Sequence, residues 1–306
     1  MPAGGSADRR CGDFLQWALP RLGLRWAGFR KVRRQVCRRL RRRLGELELA
    51  DLDAYREHLE AHPEEWTVLD ALTPITISRF YRDPQVFRAL EDQVLPALAA
   101  AAAADARDRL GAWSAGCASG EEAYTLALLW HGTLAARFPT LRLEVLASDI
   151  DPAMLCRARE ATYDASSLRD LPARWRDRGF TRRGRRYCLR PEHRDLVNVR
   201  CHDLRNPPPA EPFDVVLCRN AAFTYLAAAR QATVLARLTS TLRRGGALVI
   251  GLHESLLRTP PWTHRLARHP RDLPACVSRT RLPAEGHGHR VRVSSPQTKI
   301  SVGQRR

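Results

Sequence analysis

Long apolar runs are missing from this 306-residue chain: the longest, over residues 94–104, is an alanine-rich stretch far short of the roughly 20 residues that cross a bilayer. The opening MPAGGSADRR is not followed by the apolar segment of a secretory leader, so a cytoplasmic protein without membrane insertion is expected. Cysteines are scattered at Cys11, Cys37, Cys117, Cys156, Cys188, Cys201, Cys218 and Cys276. No CxxC and no Cys/His pairing at metal-ligand spacing is present, so neither a zinc site nor a disulfide framework is readable, and reduced, buried thiols are expected. Lysine is nearly absent: Lys31 and Lys299 are the only two, so almost all of the 51 basic residues are arginines, and the formal charge is +18. Because alanine is abundant beside them, that skew can reflect coding bias as readily as a polyanionic partner, and net charge bears on solubility and association rather than on activity. What is present is 44% apolar residues, enough to bury a sizeable core in about two domains.

Residues 1–28 have weak periodicity and are expected to form a flexible N-terminal segment. Over residues 29–44, Phe29, Val32, Val36, Leu40 and Leu44 recur at helical spacing with arginines on the other faces, an amphipathic and strongly basic helix. Shorter helices are expected over residues 51–61, capped by Asp51, and 64–71, behind Pro63; they close a small helical domain over 29–73. Past the linker TPITISRFYRD, a helix runs from Pro84 into the alanine tract. Strands over 110–115, 143–147, 197–201, 213–218 and the segment ALVIGL then alternate with helices over 120–136, from Pro152, and over 227–242. Such alternation builds a parallel sheet covered on both faces. FTRRGRRYCL at 180–189 reads as an inserted β-hairpin around Gly184. This α/β domain is expected over 74–282, and residues 283–306 are expected to form a disordered basic tail.

Two stretches carry most of the chemistry: WSAGCASGEEAY at 113–124 and LASDID at 146–151. A glycine turn after an apolar strand lets the backbone approach a ligand, and an acidic residue ending the next strand can bind two ribose hydroxyls. Asp149 lies 29 residues beyond Gly120, room for one helix and one returning strand. The same glycines also suit tight strand-to-helix packing with no ligand. Four more segments fall at strand ends or approach them: SRFYRD at 78–83, CHDL at 201–204, CRN at 218–220 and GLHESL at 251–256. Ligands of open α/β sheets bind beyond the carboxyl ends of the strands. His253 and Glu254 invite an acid/base role, but a hydrogen-bonded structural histidine accounts for them as well, and no metal-ligating set accompanies them.

Taken in order, the basic helical domain, [ST]xF[FY]RD, WxAGCxxGEExY, SDID, hairpin insert, hDL, FDxxxCRN and LxxGGxLxIGxxES resemble the chemotaxis receptor glutamate methyltransferases, the CheR type, over roughly residues 29–257. The resemblance implies a Rossmann-like class I methyltransferase sheet with a small N-terminal all-helical domain and a β-hairpin insertion. It implies S-adenosyl-L-methionine as cofactor, S-adenosyl-L-homocysteine as product, and an acidic protein substrate such as a chemoreceptor cytoplasmic helix.

Carried onto matched positions, it implies that Gly116, Gly120 and Glu122 approach the methionine part of the cofactor, Glu122 accepting from the α-ammonium group. Without the family, Glu122 reads as a solvated first-turn glutamate favoured by the helix dipole. Asp149 is expected on the ribose, while Asp151 caps the helix before Pro152. Asp203 and Leu204 match the position beside the adenine, where the family often has asparagine; a strand-end turn is the alternative for Asp203. Arg219 and Asn220 match the segment near the transferable methyl. Thr76, Ser78 and Arg82 match residues lining the cofactor from the domain junction. Arg82 either binds the cofactor carboxylate, orients the acidic substrate by paired hydrogen bonds, or bridges the domains. Arg82 and Tyr225 are the expected catalytic pair. Two departures bear on the substrate wall: CRNxxIYF is replaced by CRNAAFTYL, so that Tyr225 or Thr224 takes the tyrosine's place, and the TPIT segment around Thr76 is one residue longer.

A glutamate carboxylate, with an ordinary pKa of about 4.3, is already a nucleophile near neutral pH, so the lack of a Ser/His/Asp or metal set agrees with this chemistry. The cationic face over residues 30–44 can steer an acidic helix. Three other readings compete: a same-fold methyltransferase acting on a small carboxylate or another protein, a scaffold that binds cofactor without turnover, and a basic nucleic-acid-binding module. The last leaves the ordered cofactor motifs unexplained and lacks an aromatic-interleaved basic surface.

Overall fold

A computed structural model describes residues 4–256 and the short strands Thr263–Arg265, Val277–Thr280, His289–Arg290 and Gly303–Gln304, with side chains described over residues 8–256. The chain divides into two compact units, Met1–Ile77 with Thr224–Ala232, and Ser78–Phe223 with Thr233–Arg306.

The first unit is helical: α1 (Gly4–Arg21), α2 (Trp26–Phe29), α3 (Arg33–Glu46), α4 (Leu52–Ala61) and α5 (Glu65–Leu72). The expectation of a flexible segment over 1–28 is corrected by α1. Its apolar residues Cys11, Phe14, Leu15, Ala18 and Leu19, continued by Leu22 just past its end, recur at helical spacing and are all buried. Gly5, Gly12 and Pro20 disguise that period, but their cost is outweighed by one fully packed face. The basic helix begins at Arg33 rather than Phe29 and buries Val36, Cys37 and Leu40. Asp51 caps α4 as expected, its Oδ1 accepting from Asp53 N and Ala54 N, each at 3.0 Å. Inside the unit, Glu65 accepts a fork from Arg43 at 2.9 and 2.7 Å and a third bond from the Tyr55 hydroxyl at 2.7 Å. That fork holds the Glu65 carboxyl below its ordinary range against the opposing effect of burial. A second correction concerns the cysteines: Cys11 and Cys37 form a disulfide joining α1 to α3, where reduced thiols were expected. The two lie 26 residues apart in sequence, and only the packing of one helix on the other brings them together.

The second unit opens with α6 (Pro84–Ala89), which continues through a π-helical turn at Leu90–Val94 into α7 (Leu95–Ala104). Then come β1 (Arg109–Ala115), α8 (Glu121–Leu129) with a π-helical turn at Trp130–Leu134, β2 (Arg142–Asp149) and α9 (Pro152–Glu160). An insert follows: β3 (Thr162–Asp164), α10 (Ala173–Gly179), β4 (Phe180–Arg183), β5 (Arg186–Leu189) and α11 (Pro191–Arg194). The expected hairpin is β4–β5, and β3 extends it to an antiparallel sheet in the order β3-β5-β4. The chain then runs through β6 (Val197–Cys201), β7 (Phe213–Cys218), α12 (Ala222–Tyr225), α13 (Ala228–Ser240) and β8 (Leu242–Ile250), and on to β9 (Thr263–Arg265) and β10 (Val277–Thr280).

The main sheet has the order β6-β2-β1-β7-β8-β10-β9, with β6, β2, β1, β7 and β8 parallel and β10 antiparallel to β8. Every residue of β7 is buried, as a central parallel strand requires. From β1 the chain winds outward through β2 to β6, and then returns to β7 on the other side of β1. The crevice beyond the carboxyl ends of β1 and β7 is therefore the topological switch point, where open α/β sheets bind ligands. The tail expected over 283–306 lies outside the described residues, apart from the paired strands β11 (His289–Arg290) and β12 (Gly303–Gln304).

Candidate functional site

Both strand ends at the switch point lead into sharp, hydrogen-bonded turns. After β1, Gly116 and Gly120 have φ of 88° and 89°, conformations that favour glycine. A Cβ on Gly120 would come within 2.9 Å of Tyr124 Cε2 and 3.1 Å of Ala158 Cβ, so close packing demands glycine there too. Gly116 N and Cys117 N both donate to Ser148 O at 2.8 Å, which ties the loop to β2. Ala118, itself at φ 52°, donates its N–H to Asp149 Oδ2 at 2.8 Å, and Asp151 N donates to Oδ1 at 3.0 Å. Burial pushes the Asp149 carboxyl above its ordinary pKa, against the pull of those backbone donors. Each oxygen keeps a second lone pair for a ligand hydroxyl. Asp151 caps α9, its side chain accepting from Ala153 N and Met154 N.

After β7, Arg219 is the hub. Its side chain is 2% exposed and ion-paired to Glu122 at 3.0 Å and Asp83 at 2.9 Å. It donates to Arg82 O at 2.7 Å and lies 4.9 Å from the Phe87 ring centroid. Its Nε is buried without a hydrogen-bond partner. Glu122 also accepts from Ser114 Oγ at 2.8 Å, so each of its oxygens has one donor and retains a site for another.

The SRFYRD segment is bent to meet this hub. Tyr81 and Asp83 have φ of 58° and 60°, left-handed conformations that cost a non-glycine residue about 1–2 kcal/mol each. Neighbouring contacts hold the bend: Phe80 is fully buried edge-on to Tyr163 and Phe180, and Thr125 Oγ1 accepts from Tyr81 N at 3.2 Å. The turn carries the Arg82 carbonyl and the Asp83 carboxylate to Arg219. Asn220, at φ 54°, is braced on the other side by Glu254, whose Oε2 accepts from Asn220 N at 2.8 Å and Gly251 N at 2.7 Å. Glu254 is thus a buried structural brace. His253 is exposed, so the structural histidine anticipated from the sequence is not what organises this strand end.

Among the expected site residues, Arg82, Gly116, Gly120, Glu122, Asp149, Arg219 and Asn220 come together around these turns, and Ser78 starts the segment that delivers Arg82. Asp203 follows β6, where Arg205 grips both its oxygens at 3.0 and 2.9 Å. That grip holds the carboxyl below its ordinary pKa although burial opposes it. Leu204 is half-buried beside it. Thr76 and Tyr225 belong to the helical unit, where the Tyr225 ring packs 5.0 Å from Phe29 and Tyr225 O accepts from Arg25 N. Sequence reasoning passed over Ser114, Asp83 and the bracing role of Glu254. Each stands inside a quoted motif, but none has a spacing that announces its hydrogen bonds.

An adenosyl amino acid would need an acceptor for its ammonium group, a carboxylate for its ribose diol, and close backbone approach. Glu122, Asp149 and the Gly116–Gly120 turn meet those three needs, and the partnerless Arg219 Nε adds a donor.

Comparison with known proteins agrees. The CheR methyltransferase SAM-binding domain model matches residues 76–269, and the CheR methyltransferase all-alpha domain model matches residues 31–73. The chain is 35% identical over 187 residues to a chemotaxis protein methyltransferase of Listeria monocytogenes, covering 61% of this chain and 68% of that one. It is 31% identical over 198 residues to chemotaxis protein methyltransferase 1 of Pseudomonas aeruginosa, covering 63% and 70%. An uncharacterized 104.1 kDa protein of Rhodobacter capsulatus is 36% identical over 225 residues, which are 73% of this chain but 23% of that much longer one.

Proposed function

The chain belongs to the CheR methyltransferase family, and from that premise we propose that it moves the methyl group of S-adenosylmethionine onto a glutamate side chain of an acidic protein helix, of the kind chemoreceptors expose in the cytoplasm. The observation that carries this reading is the buried Arg219 clasp, which fixes Glu122 and the Arg82–Asp83 turn at the switch point.

In this assignment Glu122 accepts from the α-ammonium group, Asp149 accepts from the ribose hydroxyls, and the Gly116–Gly120 turn lies against the ligand. Asp203 and Leu204 flank the adenine, with Asp203 oriented by Arg205. Ser78 and Asn220 line the remainder, and Arg82 offers its guanidinium to the acceptor carboxylate, a bidentate partner suited to that shape. Bound S-adenosylmethionine supplies an electrophilic sulfonium methyl. The acceptor carboxylate is already ionised, so the chain need only align it and limit its hydration; no general base is called for. No helix among the described residues is long and apolar enough to cross a membrane.

The test is incubation of the protein with methyl-labelled S-adenosylmethionine and a purified chemoreceptor cytoplasmic fragment. A base-labile methyl ester on the fragment is expected, lost when its glutamates are changed to alanine. Binding without any transfer to protein, or label appearing only in small carboxylates from an extract, would overturn the substrate assignment.

A further inference from the structure

Among the described residues, strand β6 ends the main sheet, with β2 on one side only. Val145 N donates to Leu196 O at 2.8 Å and His202 N donates to Asp149 O at 3.0 Å, so the even-numbered residues of this stretch turn their backbone groups toward β2. By the two-residue period of a strand, Val197, Val199 and Cys201 turn theirs outward. Val199 O accepts from Arg159 Nη2 at 3.1 Å, a bond that confirms the outward direction.

An open cleft of about 930 Å³ follows this edge, lined by Leu196 to Arg200 and by the arginines 109, 142, 159, 194, 200 and 243. Three carboxylates, Glu144, Asp195 and Glu211, also line it, leaving an excess of three positive charges. The ion pairs Arg109–Glu144 at 3.1 Å and Arg200–Glu211 at 2.7 Å join side chains that are about half exposed or more, so each is a weak pair that an incoming carboxylate can displace. The register sets Arg109 opposite Arg142 and Ser148 opposite Arg200, which puts the three arginines on one face of the sheet, Arg200 on the edge strand itself and Arg142 and Arg109 on the next two strands inward. Polymerisation of the chain through this edge would align like charges and is disfavoured; an acidic strand would be drawn in.

We propose that the β6 edge is a docking site for an extended acidic peptide segment, which adds to the sheet by backbone hydrogen bonds to Val197, Cys201 and the Val199 N–H, leaving Val199 O with Arg159, and sets its carboxylates in the cleft toward Arg200 and Arg142. This surface is distinct from the switch-point crevice, and the proposal does not depend on the methyl-transfer reading.

The experiment uses the full chain and a fluorescent peptide of about eight residues with alternating glutamate and valine, long enough for one strand. Anisotropy titration at low salt should show saturable binding that weakens several-fold as screening increases. Arg142→Glu combined with Arg200→Glu, both exposed positions, should weaken it about ten-fold or more. N-methylation of every second peptide residue, tried in both registers, should abolish binding in one register only. Slowed hydrogen exchange at the amides of Val197, Val199 and Cys201 on adding the unmodified peptide gives a second readout that needs no variant. Equal binding of both N-methylated peptides, or of an acidic helical peptide of the same charge, would overturn strand addition. Displacement of the peptide by a tighter-binding single-stranded oligonucleotide of equal charge would assign the cleft to nucleic acid instead.

Discussion

Arg219 and Glu122 should act as one unit, and a double-mutant cycle measures whether they do. Arg219→Met keeps the aliphatic length and removes the charge. It strands Glu122 and Asp83, whose side chains are 13% and 24% exposed, after loss of a guanidinium that is 2% exposed. Breaking a buried pair from one side costs about 3–5 kcal/mol, and because water can reach both carboxylates in part, we set the expected loss at about 2–4 kcal/mol. Glu122→Gln keeps the shape and still accepts from Ser114. With both changes made, no uncompensated charge is left between the two positions, so the combined loss should fall short of the sum by about 1.5–3 kcal/mol. Urea denaturation gives the stability cycle, and calorimetry with S-adenosylhomocysteine gives the binding cycle, in which Arg219→Met alone should weaken affinity about 10- to 100-fold through the misplaced Glu122. Arg219→Lys should recover less than half of either loss, because a single ammonium cannot clasp both carboxylates and the Arg82 carbonyl. Additivity within about 0.5 kcal/mol in both cycles would refute the idea that Arg219 works through Glu122.

Asp149→Ala should weaken S-adenosylhomocysteine binding by about 1.5–3 kcal/mol if the carboxylate holds the ribose diol, and unchanged calorimetric affinity in a folded variant would remove that assignment. His193 contacts His131 through their Nδ1 atoms at 2.9 Å, and its pKa is lowered from 6.5 to about 4, first by burial and then by His131. The unfolded chain therefore binds a proton first, so stability should fall as pH drops from about 6.5 toward 4; in His193→Gln that slope should flatten, by at most about 1–3 kcal/mol over the window. Glu65 is the opposite case. Its carboxyl is depressed chiefly by the Arg43 fork, so the stability it confers is complete above the ordinary glutamate range and lost as pH falls through the lowered folded value. The deficit of Glu65→Gln, about 2–4 kcal/mol at neutral pH, should accordingly shrink in acid-dependent melting curves. Reduction of Cys11–Cys37, closing a separation of 26 residues, should lower the stability of the helical unit by about 3 kcal/mol, and alkylation with mass spectrometry should find those two cysteines protected until reductant is added.

Much of the fold was legible because apolar periodicity is a local signal. Strands β6 and β7 match their expected bounds, β1 and β2 extend theirs by one to three residues, and the Asp51 and Asp151 caps sit where helix-start chemistry puts them. Helix α1 escaped because two glycines and a proline mask its period, and β3 because three residues carry no pattern of their own. Of the site, the glycines, Glu122 and Asp149 could be named from motifs. The roles of Ser114, Asp83 and Glu254 could not: Ser114 meets Glu122 only because the glycine turn folds the chain back, and Asp83 and Glu254 bond to partners far along the chain.

By itself, then, the order of residues determined the alternation of strands and helices, the glycine turn, the acidic strand end and hence the family. The pairing of Cys11 with Cys37, the clasp of Arg219 on Glu122 and Asp83, and the arginine-lined edge that β6 presents among the described residues were decided by tertiary structure. The reason is range: a repeat of two or 3.6 residues is written in neighbouring positions, whereas a disulfide, a buried ion pair or an unpaired strand edge exists only once distant segments have been packed and counted against one another.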